Sequence, residues 1–278
     1  MLQEISFAKL SPTQNMTILV KSMHSEEEYA PIASRLMSYD NVFAEQVGFI
    51  KQATHPGAVA ALNMAGGEFC GNACMALAAL TAHQQTIHPS ESTTIHLEAS
   101  GTDQLINCLV QKTDEDDFFC KVMMPVPRNI EARTLKHEGN NYTAGLVQYS
   151  DFLHIILEVQ QFTGSLKKLA ENLARMLEIT SSYPLIGVLL FKPDSNELLP
   201  LMYVPALDSL VWERGCGSGT ASVGAYAAWK NRTLFEAPIQ QPGGIIRVSA
   251  SCEEHKISGV SISGNVSIVA EGKAYIHL

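Results

Sequence analysis

Apolar residues fall along this chain mostly in short alternating or β-branched runs, the rhythm of strands with one buried face. Residues 4–10 and 16–20 read as strands about a turn at 11–15. Residues 42–50 and 58–64 follow, joined by a His55-Pro56-Gly57 turn. Three more runs lie at 93–99, 104–111 and 118–124, with the acidic Asp114–Asp117 as a solvated hairpin tip. The second half continues with 143–148, 152–159, 186–191, 199–204, 245–250, 260–262, 265–270 and 273–278.

Two stretches change to helical spacing. Residues 25–38 put Tyr29, Ile32, Ala33, Leu36 and Met37 on one face, and Ser25 with Glu28 could form a capping box. Pro31 argues that this helix begins nearer the proline, since an interior proline costs about 3 kcal/mol. Residues 165–179 turn Leu166, Leu169, Leu173, Met176 and Leu177 inward, with Ser165 as expected N-cap.

Two other helical stretches are apolar nearly all round, which marks buried helices. One follows Glu68-Phe-Cys-Gly-Asn-Ala-Cys74 and the other follows Trp212-Glu-Arg-Gly-Cys-Gly-Ser-Gly219. Cys70-Gly71-Asn72 and Cys216-Gly217-Ser218 lie about half a chain length apart, so the pattern predicts two similar halves. The expected division is 1–126 with 264–278 around Cys70, and 127–263 around Cys216, with Pro125-Val-Pro127 as the linker. The first N–H groups of a helix carry partial positive charge, can hold a carboxylate and can lower a cysteine pKa. Two thiols flanking one anion site could take a proton from one face of a carbon and return it to the other.

Composition narrows the classes. With 278 residues and 46% apolar content the chain can bury a large core without disulfide staples. A net charge of −9 argues against nucleic-acid binding. No secretory leader is visible, and the longest aliphatic run, 185–191, is too short to span a bilayer, so no membrane partner and a cytoplasmic location are expected. The six cysteines show neither a disulfide framework nor zinc spacing; Cys74, Cys108, Cys120 and Cys252 read as buried small residues. Gly215-Cys-Gly-Ser-Gly219 lacks the dinucleotide-binding spacing, and residues 66–72 lack a P-loop ending. Ser165-x-x-Lys168 matches a serine–lysine hydrolase pattern, but the capping reading is preferred. A single buried cysteine would be ascribed to packing; the paired Cys-Gly motifs, each opening an apolar helix, point to chemistry.

These motifs resemble the diaminopimelate epimerase fold family of cofactor-independent amino-acid racemases and epimerases, over nearly the whole chain. Cys70-Gly-Asn72 and Cys216-Gly-Ser-Gly219 match its catalytic cysteine motifs, while Asn15, Gln46 and Asn63 match its substrate-contacting positions. Met124-Pro-Val-Pro127, Gln241-Pro-Gly-Gly244 and Ser263-Gly-Asn-Val266 with Glu271-Gly272 match its structural signatures. The chain departs from the diaminopimelate enzymes at Phe152-Leu153-His154, at Gly187, and where Glu213-Arg-Gly215 abuts Cys216. It is most similar to the histidine racemase subgroup of staphylopine-type metallophore biosynthesis, through 15–20, 45–50, 68–73, 216–222, 241–244 and 272–276.

The resemblance implies an α+β fold of two pseudo-symmetric halves, each a mostly antiparallel sheet or barrel wrapped around a central helix, with the site between them. It implies an isomerase that converts L-histidine to D-histidine with Cys70 and Cys216 as acid and base. Gly71, Asn72, Gly217 and Ser218 would hold the α-carboxylate; Asn15, Glu45, Gln46, Asn63 and Glu213 would complete the binding site, Glu45 accepting an imidazole N–H. No cofactor and no metal is required. A diaminopimelate epimerase, a proline or hydroxyproline racemase-like isomerase and a non-catalytic amino-acid binding protein remain alternatives. The expected partner is a small amino acid; the sequence leaves a homodimer open, and Arg214 without a role.

Overall fold

The computed structural model describes residues 2–85 and 87–277, in two compact units: Met1–Met123 with Ser263–Leu278, and Met124–Ile262. The first contains β1 (Leu2–Pro12), β2 (Thr17–Val20), α1 (Glu26–Met37), β3 (Gln46–Lys51), β4 (Ala60–Met64), α2 (Gly71–Gln84), β5 (Ser92–Ala99), β6 (Ile106–Lys112) and β7 (Asp117–Met124). The second contains β8 (Asn129–His137), β9 (Asn140–Gln148), β10 (Phe152–Glu158), α3 (Gly164–Thr180), β11 (Leu185–Lys192), β12 (Glu197–Val204), a 3-10 turn at Pro205–Leu207, β13 (Ser209–Trp212), α4 (Gly217–Asn231), β14 (Phe235–Gln241) and β15 (Gly244–Glu253). A last strand, β16 (Lys256–His277), begins in the second unit and ends in the first.

In the first unit the strands run β1-β2-β3-β4-β5-β6-β7-β16, and β16 also pairs with β1, so the sheet closes on itself. Closure removes the unpaired edges that an open sheet exposes. Pairs β2–β3 and β4–β5 are parallel; α1 and α2 make those crossovers. Helix α2 packs against β1, β2, β4, β5 and β6 and buries Gly71–Leu80 and Ala82, as its apolar circumference requires. Helix α1 buries only one face, Tyr29, Ile32, Ala33 and Leu36, in a cluster with Ile5, Ile18, Val47 and Phe49.

The second unit repeats that order. Strand β10, helix α3 and strand β11 form a parallel crossover like β2-α1-β3, and α4 occupies the place of α2. Helix α4 packs on β9, β10, β11, β14 and β15 and buries most of its length, while α3 lies on β11 and β12 with Leu166, Ala170 and Ala174 buried.

The differences from the sequence reading have local causes. Helix α1 starts at Glu26 and tolerates Pro31, because the Glu28 carboxylate accepts from the Ser25 N–H at 3.0 Å and from its hydroxyl at 3.1 Å, and the buried face offsets one lost backbone bond. The α3 N-cap is Thr163, which accepts the Leu166 N–H at 3.2 Å. Ser165 sits one residue inside the helix and donates to Glu138 at 2.7 Å, and Met176, expected inward, is 54% exposed. Strand β3 is shorter than expected because Phe43 adopts φ 58° ahead of it. Strands β8, β13 and β14 were not foreseen: β8 is a largely exposed edge strand, and β14 carries a proline. The separate runs at 260–262, 265–270 and 273–278 belong to the single strand β16, described to His277; Leu278 lies outside the described residues.

Candidate functional site

Each motif cysteine is the N-cap of a buried helix. Cys70 holds extended dihedrals (φ −131°, ψ 107°), and its Sγ accepts the Ala73 N–H at 3.3 Å. Cys216 does the same (φ −112°, ψ 111°), accepting the Gly219 N–H at 3.2 Å. The sulfur thus takes the place of the Ser or Asp oxygen usual at an N-cap, and it lies against the positive end of the helix.

In the first unit the half-buried Cys70 thiol donates to Gln46 Oε1 at 2.5 Å. Gln46 opens β3, and Glu45 precedes it with its N–H on the Met16 carbonyl at 2.8 Å. The fully buried Asn15 donates through Nδ2 to Glu45 Oε2 at 3.2 Å. Asn15 leaves a turn in which Thr13 and Gln14 both take left-handed φ, 50° and 60°, a strained choice for a β-branched residue. The fold therefore gathers Asn15, Glu45, Gln46 and Cys70, with Gly71 and the buried Asn72 as the first residues of α2. Asn63, on β4, lines a cavity of about 590 Å³ with Thr54, His55, Glu98 and Gln104. The peptide ahead of Cys70 is braced by Ser100, which donates to the Glu68 carbonyl at 2.7 Å and accepts the Met64 N–H at 2.9 Å. The next residue, Gly101 (φ +73°), packs against the Glu68–Phe69 backbone.

In the second unit Cys216 is 2% exposed and Glu213 is 6% exposed. Cys216 Sγ lies 3.5 Å from the Ser218 hydroxyl, which with Gly217 begins α4. Burial pushes the Cys216 thiol well above its ordinary pKa; the Glu213 charge and its hydrogen bond to the sulfur add to the rise, against the lowering by the Ser218 hydroxyl and the Gly219 N–H. This corrects the expectation from helix position alone: desolvation and an adjacent carboxylate outweigh the helix terminus, so the resting group is the neutral thiol. Burial likewise raises the thiols of Cys74, Cys108 and Cys120, in keeping with packing roles, whereas Cys252 is only half-buried.

Sequence reasoning gave no part to two sets of residues around α4. Gln241, 2% exposed, accepts the Cys216 N–H at 2.7 Å and donates to Thr220 Oγ1 at 2.8 Å. Its place in the Gln241-Pro-Gly-Gly244 signature was the available signal. Behind α4, the buried His154 shares a hydrogen bond through Nδ1 with Ser222 at 2.8 Å, and Tyr149 shares one with the same hydroxyl at 3.0 Å. Burial lowers the His154 pKa to about 3, so the ring is neutral. It occupies the space above Gly187, where an added Cβ would lie 2.8 Å from Nε2 and 2.9 Å from Met202 Cε. The two departures from the diaminopimelate enzymes, Phe152-Leu153-His154 and Gly187, thus meet in a single contact. The Arg214 guanidinium donates to the Pro242 carbonyl at 3.4 Å. Among the described residues no three His, Cys, Asp or Glu side chains are placed to hold a metal ion. Of the described helices, none is long and apolar enough to cross a membrane.

A family model described as the histidine racemase CntK N-terminal domain matches residues 4–275. The chain belongs to this histidine racemase family. It is 36% identical over 99% of its length to the histidine racemase of Staphylococcus aureus, covering 98% of that protein. It is 31% identical, again over 99% of its length, to the histidine racemase of Fusobacterium nucleatum, covering 98% of it. Like its relatives it is an amino-acid racemase, an isomerase. Solved structures share the fold. A hydroxyproline epimerase from Agrobacterium vitis aligns over 98% of this chain and 91% of its own with a TM-score of 0.73 at 12% identity. A Bacillus anthracis phenazine biosynthesis protein of the PhzF family aligns over the whole of both chains with a TM-score of 0.67 at 14% identity. At such identities the likeness speaks for the α+β fold.

Proposed function

We propose that this racemase converts L-histidine to D-histidine by a two-base mechanism and that the product serves an opine-type metallophore. The full-length 36% identity to a histidine racemase is the observation that carries the substrate. The mechanism is supported by the paired N-cap cysteines, since inversion at Cα needs one group to remove a proton and another to deliver one from the opposite face. One cysteine acts as thiolate and the other as thiol, and the two titrate as a coupled pair. The N–H groups opening α2 and α4 suit the substrate carboxylate and its enolate-like charge in the transition state. Glu45, fixed by Asn15, is suited to accept an imidazole N–H.

The deciding experiment incubates reduced protein with L-histidine in D₂O, following chirality by chromatography and Cα deuteration by NMR, with diaminopimelate and L-proline alongside. D-Histidine carrying Cα deuterium is expected. Turnover of another amino acid with silence on histidine would overturn the substrate, and silence on all three would favour a binding protein that has kept the site.

A further inference from the structure

We infer that Gln241 is a positioning residue that aims the Cys216 thiol, an inference that rests on the proposed role of Cys216. The carboxamide closes a ring of hydrogen bonds around one residue. Its oxygen accepts the Cys216 N–H at 2.7 Å, and its nitrogen donates to Thr220 Oγ1 at 2.8 Å. Thr220 Oγ1 in turn donates to the Cys216 carbonyl at 2.7 Å, beside the Thr220 N–H at 3.1 Å. The amide orientation follows from its partners: the Cys216 N–H can only donate, so the oxygen must face it.

Both peptide groups flanking the Cys216 Cα are therefore held by the same side chain, one directly and one through Thr220. Fixing those two planes fixes the Cα–Cβ direction, and the Gly219 N–H on Sγ at 3.2 Å then sets where the sulfur points. The loop ahead of the cysteine is held from the same turn, by the Gly243 N–H on the Arg214 carbonyl at 2.6 Å. Gln241 is 2% exposed and Thr220 is fully buried, so water cannot readily replace the lost bonds. The first unit has no such ring among its described bonds: Ser100 braces Glu68 and Met64, short of the Cys70 peptide itself.

Gln241→Met keeps the volume and removes both bonds; Thr220→Val removes only the relay. Displacing a reacting group by 1 Å can cost about 10²-fold in rate. Gln241→Met is therefore expected to lower kcat by roughly 30–100-fold with KM within about threefold. Thr220→Val should give a smaller fall, and the double variant should match Gln241→Met, since both changes break one ring. A second readout needs no turnover: iodoacetamide labelling of Cys216 relative to Cys70 in the same molecules, by peptide mass spectrometry. Loosening the ring should raise that ratio in Gln241→Met, and less so in Thr220→Val, at unchanged Cys70 labelling. If Gln241→Met proves unstable, Thr220→Val carries the same two readouts. Wild-type kcat together with an unchanged labelling ratio would overturn the clamp. Cys216→Ser with wild-type turnover would instead overturn the two-base reading and leave the labelling arm to decide the clamp.

Discussion

The two cysteines occupy the same position in the same supersecondary unit, yet their surroundings differ. Cys70 is half-buried and its thiol donates a hydrogen bond to the oxygen of a neutral carboxamide, Gln46. Cys216 is buried beside a carboxylate, Glu213, and its thiol is pushed up. The Glu213 charge disfavours a thiolate at Cys216, whereas a neutral amide carries no such charge. Repetition of a fold thus supplies two similar frames, and the neighbours of each thiol make them unlike: Gln46 from β3 in one, Glu213 from the loop just before α4 in the other. A two-base racemase needs that difference, because one thiol must be ionised while the other is not.

The largest expected effect comes from removing either sulfur. Cys70→Ser and Cys216→Ser should each lower racemisation by roughly 10²–10⁴-fold, the usual contribution of a positioned acid or base. Loss in one variant alone would break the comparison and leave a one-base enzyme.

The support behind α4 should respond to acid. His154 titrates near 3 in the folded chain, below the usual value of about 6.5 when unfolded. The unfolded chain therefore binds the extra proton first, so stability is full above about pH 6.5 and falls with pH towards 3, by up to about 1.4 kcal/mol per unit. Thermal melts across that window should show a shallower fall in His154→Asn; an equal slope would remove His154 from the account.

Small residues supporting each helix should differ in what they tolerate. Gly187→Ala drives a methyl into the His154 ring and should cost about 1–3 kcal/mol. Gly101→Ala meets backbone atoms at φ +73°, so neither rotation nor a side-chain shift relieves it, and it should cost more. Denaturant melts of the two variants give the order.

The smallest effect concerns reactivity. At neutral pH Cys70 should be alkylated before Cys216, and Glu213→Gln should speed Cys216 by lowering its pKa, with Cys70 unchanged. Equal labelling in the wild type would contradict the stated contrast in burial and charge.

Legibility followed the range of the interactions. The strands with alternating faces, the amphipathic α1 and α3, and the two cysteines at the starts of wholly apolar helices were readable because each signal lies within a few residues. The exposed β8 and the proline-bearing β14 gave weak local signals and needed their neighbours. The N-cap of α3 moved by two residues because the Ser165 hydroxyl found Glu138.

By itself, then, the sequence determined the repeated strand–helix order, the buried character of α2 and α4 and the placing of one thiol at the head of each, since local periodicity and a Cys-Gly turn suffice for all three. Tertiary structure alone decided which distant carboxamide each cysteine meets, at the thiol of Cys70 and at the backbone N–H of Cys216. Gln46 lies 24 residues from Cys70 in the chain and Gln241 lies 25 from Cys216, and only strand pairing brings them together. It had the largest share in the ionisation of Cys216 as well, because desolvation, the main cause of its raised thiol, depends on what surrounds the sulfur, with Glu213 from the same loop adding to it.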